Sequence, residues 1–164
     1  MKFRSAEQAV KFAYNMQERT EYARCDLLGT RGTNTADLTP LDLHAQGAMI
    51  LATIDRMHTM ERDSVIALCG RGKDRTDAIR ALAEYIYPNV SGSIPGRDEL
   101  RLVMLHWATK RPSIRAIAAD RGVSYRQVCN WRSATLRAWS PLHARAINRL
   151  HDILFVDGGF ELEL

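Results

Sequence analysis

The sequence predicts an all-α fold, in which a helical N-terminal unit is followed by a C-terminal helix-turn-helix unit. Nearly every segment of its 164 residues carries apolar side chains at a spacing of about 3.6 residues, the period of an α-helix. Alternating strand patterns are scarce, and SVIALC, residues 64–69, is the one plausible strand. A stretch rich in Pro, Gly and Ser, PNVSGSIPG at residues 88–96, separates the two halves as a loop or boundary.

The N-terminal unit, residues 1–87, is predicted to begin with a helix that has a defined start and stop. Ser5 and Gln8 have the spacing of a capping box, in which a hydroxyl accepts from a backbone amide and the Gln side chain reaches back. Apolar residues keep a helical spacing as far as Leu27, and Gly29 then offers a left-handed stop.

Three more helices are predicted in this unit. Thr39 is suited to cap the second helix, because Pro40 then stands at a first helical position, where no internal amide bond is lost. This helix continues to Met57. A short third helix is expected at residues 62–69, and a fourth runs from residue 74 to the proline at 88.

The C-terminal unit, residues 97–154, is predicted to contain four helices, and residues 155–164 are expected to form a loose tail. The helices cover roughly residues 100–107, 113–120, 124–138 and 141–154. The last of these helices is predicted to begin at Pro141.

Charge is distributed unevenly between the two halves. Residues 97–152 hold 11 Lys and Arg against 4 Asp and Glu, a balance of +7, and the remainder holds 12 against 15, a balance of −3. A basic C-terminal half beside a mildly acidic N-terminal half indicates that one end meets a polyanion. A solvated charged surface is the alternative that charge alone leaves open.

The segment SIRAIAADRGVSYRQVCNWR, residues 113–132, meets the requirements of a helix-turn-helix. The first helix needs a small residue where the second crosses it, and Ala118 has that place. The turn needs a residue that tolerates a positive φ, which Gly122 supplies, and Ser124 can cap the second helix. The apolar residues that would fill the space between the helices are Ile117, Val123, Val128 and Trp131.

This segment resembles the helix-turn-helix of many bacterial and phage regulators and of site-specific recombinases, whose second helix enters the major groove of DNA. The resemblance implies that Arg126 makes a bidentate contact with guanine and that Gln127 or Asn130 pairs with adenine. Four other arginines are better placed for phosphates. The DNA-binding residues implied are therefore Ser124, Tyr125, Arg126, Gln127, Asn130 and Ser133, with Arg115, Arg121, Arg132 and Arg137 on the phosphates.

A wider layout resembles small phage and prophage proteins that control late transcription, of the antitermination protein Q type. It consists of LTPLDLHAQGAMILATIDRM at residues 38–57, ERDSVIALCGRG at 61–72 and IRAIAADRGVSYRQV at 114–128. The resemblance implies a DNA-binding antiterminator or activator that acts with RNA polymerase, its N-terminal unit supplying polymerase contact or homodimerisation. Some members carry paired zinc-binding cysteines, which this sequence lacks.

Two other classes of function remain as alternatives. One is a DNA-packaging or recombination accessory protein that uses the same motif. The other follows from Cys69 and Arg75, whose Cys-x5-Arg-Thr spacing resembles the phosphate-binding loop of protein tyrosine phosphatases, with the cysteine as nucleophile. That loop needs a sheet before it, and the preceding residues predict helices. A helix-turn-helix also occurs as a plain packing element, but the local charge favours DNA.

Several features predict what the protein lacks. Its three cysteines, Cys25, Cys69 and Cys129, are far apart and odd in number, which argues against a disulfide framework and against a cysteine-rich zinc site. No apolar run approaches the ~18 residues of a membrane helix, and the first residues do not form a secretory signal. Together with the resemblance to phage regulators, these features lead us to expect a protein of the bacterial host cytoplasm that is not an enzyme and needs neither cofactor, metal nor membrane.

Overall fold

The computed structural model describes residues 2–23, 39–157 and 161–162, and helices dominate it, which confirms the all-α prediction. The α-helices are α1 (Ala6–Ala23), α2 (Pro40–Asp55), α3 (Thr59–Cys69), α4 (Gly72–Val90), α5 (Arg97–Thr109), α6 (Ile114–Arg121) and α7 (Tyr125–His151). A π-helical segment, Asp152–Asp157, follows α7. Two short parallel strands, β1 (Lys2–Phe3) and β2 (Glu161–Leu162), pair with each other.

The chain forms two compact units. The first comprises Met1–Met57 together with Arg149–Leu164, and the second comprises His58–Asn148. The first therefore draws on both ends of the chain, a pairing that local sequence patterns do not reveal.

The boundary predicted at residues 88–96 falls inside the second unit. Ile94 is buried, and the hydroxyl of Tyr87 donates a hydrogen bond to the carbonyl oxygen of Pro95 at 3.1 Å. One cluster of buried apolar residues extends from Ala67 to Leu142 and includes Ile94. Residues 88–90 complete α4, so that helix does not end at Pro88, and the rest of the stretch is a turn packed on a shared core, which is why it does not divide the chain.

In the first unit, α1 packs against α2. The predicted start of α1 is confirmed: the Ser5 hydroxyl oxygen accepts from the backbone amide of Gln8 at 3.2 Å. The Gln8 side chain reaches back to the amide of Arg4 at 2.6 Å. The predicted stop of this helix, at Leu27 and Gly29, lies outside the described residues.

The start of α2 is also the predicted one. The side chain of Thr39 accepts from the backbone amide of Asp42 at 3.2 Å, and Asp42 accepts from the backbone amide of Thr39 at 2.8 Å. These reciprocal bonds form a capping box. The pKa of Asp42 is lowered below its ordinary value, because two groups of Thr39 donate hydrogen bonds to the charged carboxylate. The Thr39 hydroxyl makes the larger contribution and the Thr39 backbone amide the smaller one.

The second unit has an aromatic core that contains a buried polar network. Trp139 is fully buried and meets Trp107 edge to face, with ring centroids 4.5 Å apart. The indole nitrogen of Trp139 donates to the hydroxyl of Ser64 at 2.8 Å, and that hydroxyl lies 3.3 Å from the Nδ1 atom of His143. This network joins α3 to α7, so both polar atoms have partners inside the core.

The segment SVIALC, the one plausible strand, forms the C-terminal half of α3. Only Gly70 and Arg71 separate α3 from α4, and Arg75 lies in the first turn of α4. The strand and the loop of the phosphatase signature are therefore both absent from this described segment. Burial of the consecutive residues Asp63, Ser64 and Val65 departs from the alternation expected of a half-buried strand.

The two helices predicted on either side of Pro141 form a single helix, α7. A proline inside a helix removes one backbone hydrogen bond and costs about 3 kcal/mol. Trp139 and Leu142 flank it and are both buried in the core of the second unit. Burial of the same helical face before and after the proline offsets that cost, which local sequence rules do not include.

The tail predicted to be loose, residues 155–164, has a different arrangement where it is described. Residues up to Asp157 continue the π-helical segment, in which Leu154 is buried. Further on, Leu162 pairs with Phe3 in the parallel strands, and Phe3 is buried and contacts Phe12 at a ring-centroid distance of 5.4 Å. Pairing with β1 therefore holds Glu161 and Leu162 in a strand.

Candidate nucleic-acid interface

The predicted motif forms two helices, α6 and α7, joined by a tight turn. The Ser113 hydroxyl caps α6 by accepting from the amide of Ala116 at 3.1 Å. Gly122 ends α6 in the left-handed conformation, with φ 64° and ψ 30°. The Ser124 hydroxyl then accepts from the amide of Gln127 at 3.2 Å and caps the start of α7. Each local signal for the turn therefore has the expected geometry.

The apolar residues of the motif lie in the core as expected. Ile117 and Ala118 of α6 are buried, as are Val128 and Trp131 of α7, and all four belong to one cluster. Val123 is half-buried against the same cluster. Trp131 is thus a core residue, which leaves the polar side chains of α7 to face solvent.

Gly122 is required by its backbone conformation rather than by crowding. A Cβ at this position would meet no atom within 4 Å, but the φ of +64° is unfavourable for L side chains. We therefore expect Gly122→Ala to lower the free energy of unfolding by about 1–2 kcal/mol in urea denaturation. Gly92→Ala is the matched control, since Gly92 also has open space and has no positive φ. Equal stability of the two variants would contradict this explanation.

One face of α7, opposite its buried side, is polar throughout its first three turns. Its members start at Arg126 and follow four, seven and eleven residues later, a spacing that places them on one side of the helix. We call it the outward face of α7, and its members are Arg126, Asn130, Ser133 and Arg137, all exposed. Tyr125 and Gln127 are exposed beside it at the start of the helix, and Arg132 is exposed on its flank.

The structure separates the predicted cations into two groups by their ion pairs. Arg121 lies 3.0 Å from the carboxylate of Glu99 and 3.1 Å from that of Asp120. Its charge is therefore already compensated within the protein, so its predicted role at phosphate is weakened. The other predicted arginines have no carboxylate partner among the described residues: Arg115, Arg126, Arg132 and Arg137.

The charge of α7 is entirely of one sign. The helix contains five Arg and no Asp or Glu, and no acidic residue occurs between Arg121 and Asp152. The N-terminal end of α7 adds the partial positive charge of unpaired backbone amides, close to Arg126. An anion is therefore favoured along the outward face and at its first turn.

Two other kinds of site are not found in the part of the chain that the structure describes. None of its helices is both long and apolar enough to cross a lipid bilayer. Likewise, no three His, Cys, Asp or Glu side chains come together there in a way that would hold a metal ion. Sequence reasoning missed the Ser64–Trp139–His143 network, whose members are far apart in the chain and whose hydroxyl is buried.

Comparison with known proteins adds no family to these observations. No protein-family model matches the sequence, and no curated protein matches it significantly. The interface is accordingly characterised by the local geometry and the charge of α6, the turn and α7.

Proposed function

We propose that this protein is a sequence-specific DNA-binding transcription regulator, with α7 as its recognition helix. The observation that carries the proposal is the outward face of α7, which follows a turn with all the expected caps and bears arginines that have no carboxylate partner in the described part of the chain. Such a helix has the width that the major groove admits. The function requires no catalytic step and no cofactor.

The start of α7 supplies groups for reading bases. Arg126 presents a planar fork of donors that matches the N7 and O6 acceptors of guanine. Asn130 follows one turn later on the same face, and its amide matches the N6 and N7 edge of adenine. Ser124 has its hydroxyl oxygen engaged in the cap, so it contributes to DNA binding through the helix start that it stabilises.

Phosphate contacts are assigned to Arg137, at the far end of this face, and to two arginines beside the face. Arg115 on α6 and Arg132 and Arg137 on α7 are exposed, and long flexible cations of this kind position a protein on the DNA backbone. These contacts strengthen binding to any sequence and make it sensitive to salt.

The more specific assignment is a phage-derived late-gene antiterminator or activator that acts with RNA polymerase in the bacterial cytoplasm. It is supported by the layout of residues 38–57, 61–72 and 114–128 described above. A DNA-packaging or recombination accessory protein would use the same outward face. Transcription through a terminator, measured in vitro with and without the protein, distinguishes these roles.

The test of base reading compares two arginines of α7 on a site selected from random duplexes. Arg126→Ala is expected to cost about 1–3 kcal/mol on that site and to relax selectivity at one position. Arg132→Ala is expected to weaken binding to all sequences alike and to reduce the salt slope by about one unit. Titrations on selected and scrambled duplexes at several salt concentrations measure both effects.

Arg97→Ala is the matched control, because Arg97 is exposed but pairs with Glu84 and lies outside the motif. It should bind DNA like the wild type. If the two α7 variants also bind like the wild type, the motif is a packing element and the proposal fails.

A further inference from the structure

A second unusual surface lies in the first unit, on α2. Leu41 and Met49 are 76% and 57% exposed, and three exposed alanines lie between and beyond them on the same side of the helix. Their spacing follows the helical period, so they form one continuous apolar strip. We call this strip the α2 face, and its members are Leu41, Ala45, Ala48, Met49 and Ala52.

The α2 face differs from an ordinary solvent-exposed helix surface. The exposed side of a surface helix usually carries charged residues, whereas a helix that is apolar all round is usually buried. The charged residues of α2 stand only near its ends, with Asp42 in the first turn and Asp55 at the last residue, followed directly by Arg56. Between them, over three helical turns, the face offers no ionic group to water.

We propose that the α2 face binds the α2 face of a second copy of this chain, as an antiparallel helix pair about a two-fold axis at Met49. Charge complementarity favours a second copy of the chain in this orientation. Asp42 and Arg56 lie on the same flank of the helix, seven residues on either side of Met49. A two-fold axis at that point brings Asp42 beside Arg56 of the partner subunit, and it does so twice in each dimer.

The helix ends agree with the same arrangement. Asp55 stands at the C-terminus of its own helix, where the partial negative charge of the backbone disfavours a carboxylate. In an antiparallel pair it lies beside the N-terminus of the partner helix, where the backbone charge is positive. A parallel pair would instead place Asp42 beside Asp42 and Asp55 beside Asp55, with like charges together.

The size of the face sets the expected strength of the dimer. A helix of 16 residues is about 24 Å long, and small residues at Ala45, Ala48 and Ala52 allow two axes to approach to roughly 8 Å. One helix pair buries less than the ~800 Å² per partner of a standard interface. The dimer should therefore dissociate in the micromolar range, and this inference does not depend on DNA binding.

The test is sedimentation equilibrium of the full chain from about 1 to about 200 μM, without DNA. The wild type is expected to shift from monomer to dimer in this range. Ala48→Glu places two carboxylates close together beside the axis and should raise the Kd about a hundredfold. Ala144→Glu, at an exposed alanine of α7, is the matched control and should dimerise like the wild type. Met49→Lys is a second variant at the axis, and circular dichroism shows that each variant is folded.

Charge exchange tests the antiparallel register separately. Arg56→Glu and Asp42→Lys should each weaken the dimer, because each places like charges at both ends of the pair. The double variant, Asp42→Lys with Arg56→Glu, restores opposite charges and should recover most of the lost affinity. A wild type that stays monomeric at the highest concentration, a dimer unaffected by Ala48→Glu and Met49→Lys, or a double variant no better than the single ones would each overturn the proposal.

Discussion

Trp139→Ala is expected to lower the free energy of unfolding by about 3–5 kcal/mol. The side chain is fully buried, and its removal leaves a cavity beside Trp107 in the core of the second unit. It also leaves the Ser64 hydroxyl without its indole donor. The loss is comparable to the whole stability of a marginal domain, so the variant is expected to unfold at much lower urea concentration than the wild type.

One further variant isolates the contribution of the buried hydrogen bond, and another is a control at an exposed aromatic residue. Ser64→Ala keeps the ring but leaves the buried indole nitrogen of Trp139 unpaired, which should cost about 1–3 kcal/mol. Tyr125→Ala removes an aromatic ring that is 55% exposed and should change the stability by less than about 0.5 kcal/mol. A Trp139→Ala variant within about 1 kcal/mol of the wild type would show that this core is not packed as described.

The triple variant Arg115→Gln, Arg132→Gln, Arg137→Gln is expected to lose about a hundredfold in affinity for every DNA sequence. The reason is that each arginine which neutralises a phosphate releases close to one counterion. The slope of log K against log salt should therefore fall by about 2.7 units. Folding should be unaffected, because all three side chains are exposed and have no carboxylate partner among the described residues.

A control of equal net charge separates local contacts from long-range attraction. Arg62→Gln, Arg80→Gln, Arg97→Gln removes three arginines that pair with carboxylates outside the motif. This control should keep nearly the full salt slope. If both triple variants lose affinity equally, DNA attraction follows the total charge of the protein, and Arg115, Arg132 and Arg137 have no special role.

The features that sequence predicted well are those set by neighbouring residues. Gly122 and Ser124 adopt the expected turn and cap because a left-handed residue and a capping hydroxyl act within one helical turn. The apolar positions Ile117 and Val128 are buried because the helical period alone places them on the inner side. The capping box at Thr39 is equally local.

The features that sequence missed depend on contacts between distant residues. Burial of Ile94 makes residues 88–96 part of one core, which a composition rich in Pro and Gly does not reveal. The pairing of Arg121 with Glu99 joins two helices, so only the fold shows that this cation is already compensated. Pro141 remains inside α7 for the same reason, since its cost is local and the burial that offsets it is tertiary.

The placement of the tryptophans makes the two units distinguishable by spectroscopy. All 3 tryptophans of the chain, Trp107, Trp131 and Trp139, belong to the second unit, and two of them are almost fully buried. Their fluorescence therefore reports the unfolding of residues 58–148 alone, whereas far-ultraviolet circular dichroism sums the helices of both units. Coincident curves from the two signals would identify one cooperative transition, and separate curves would measure the stability of each unit within the intact chain.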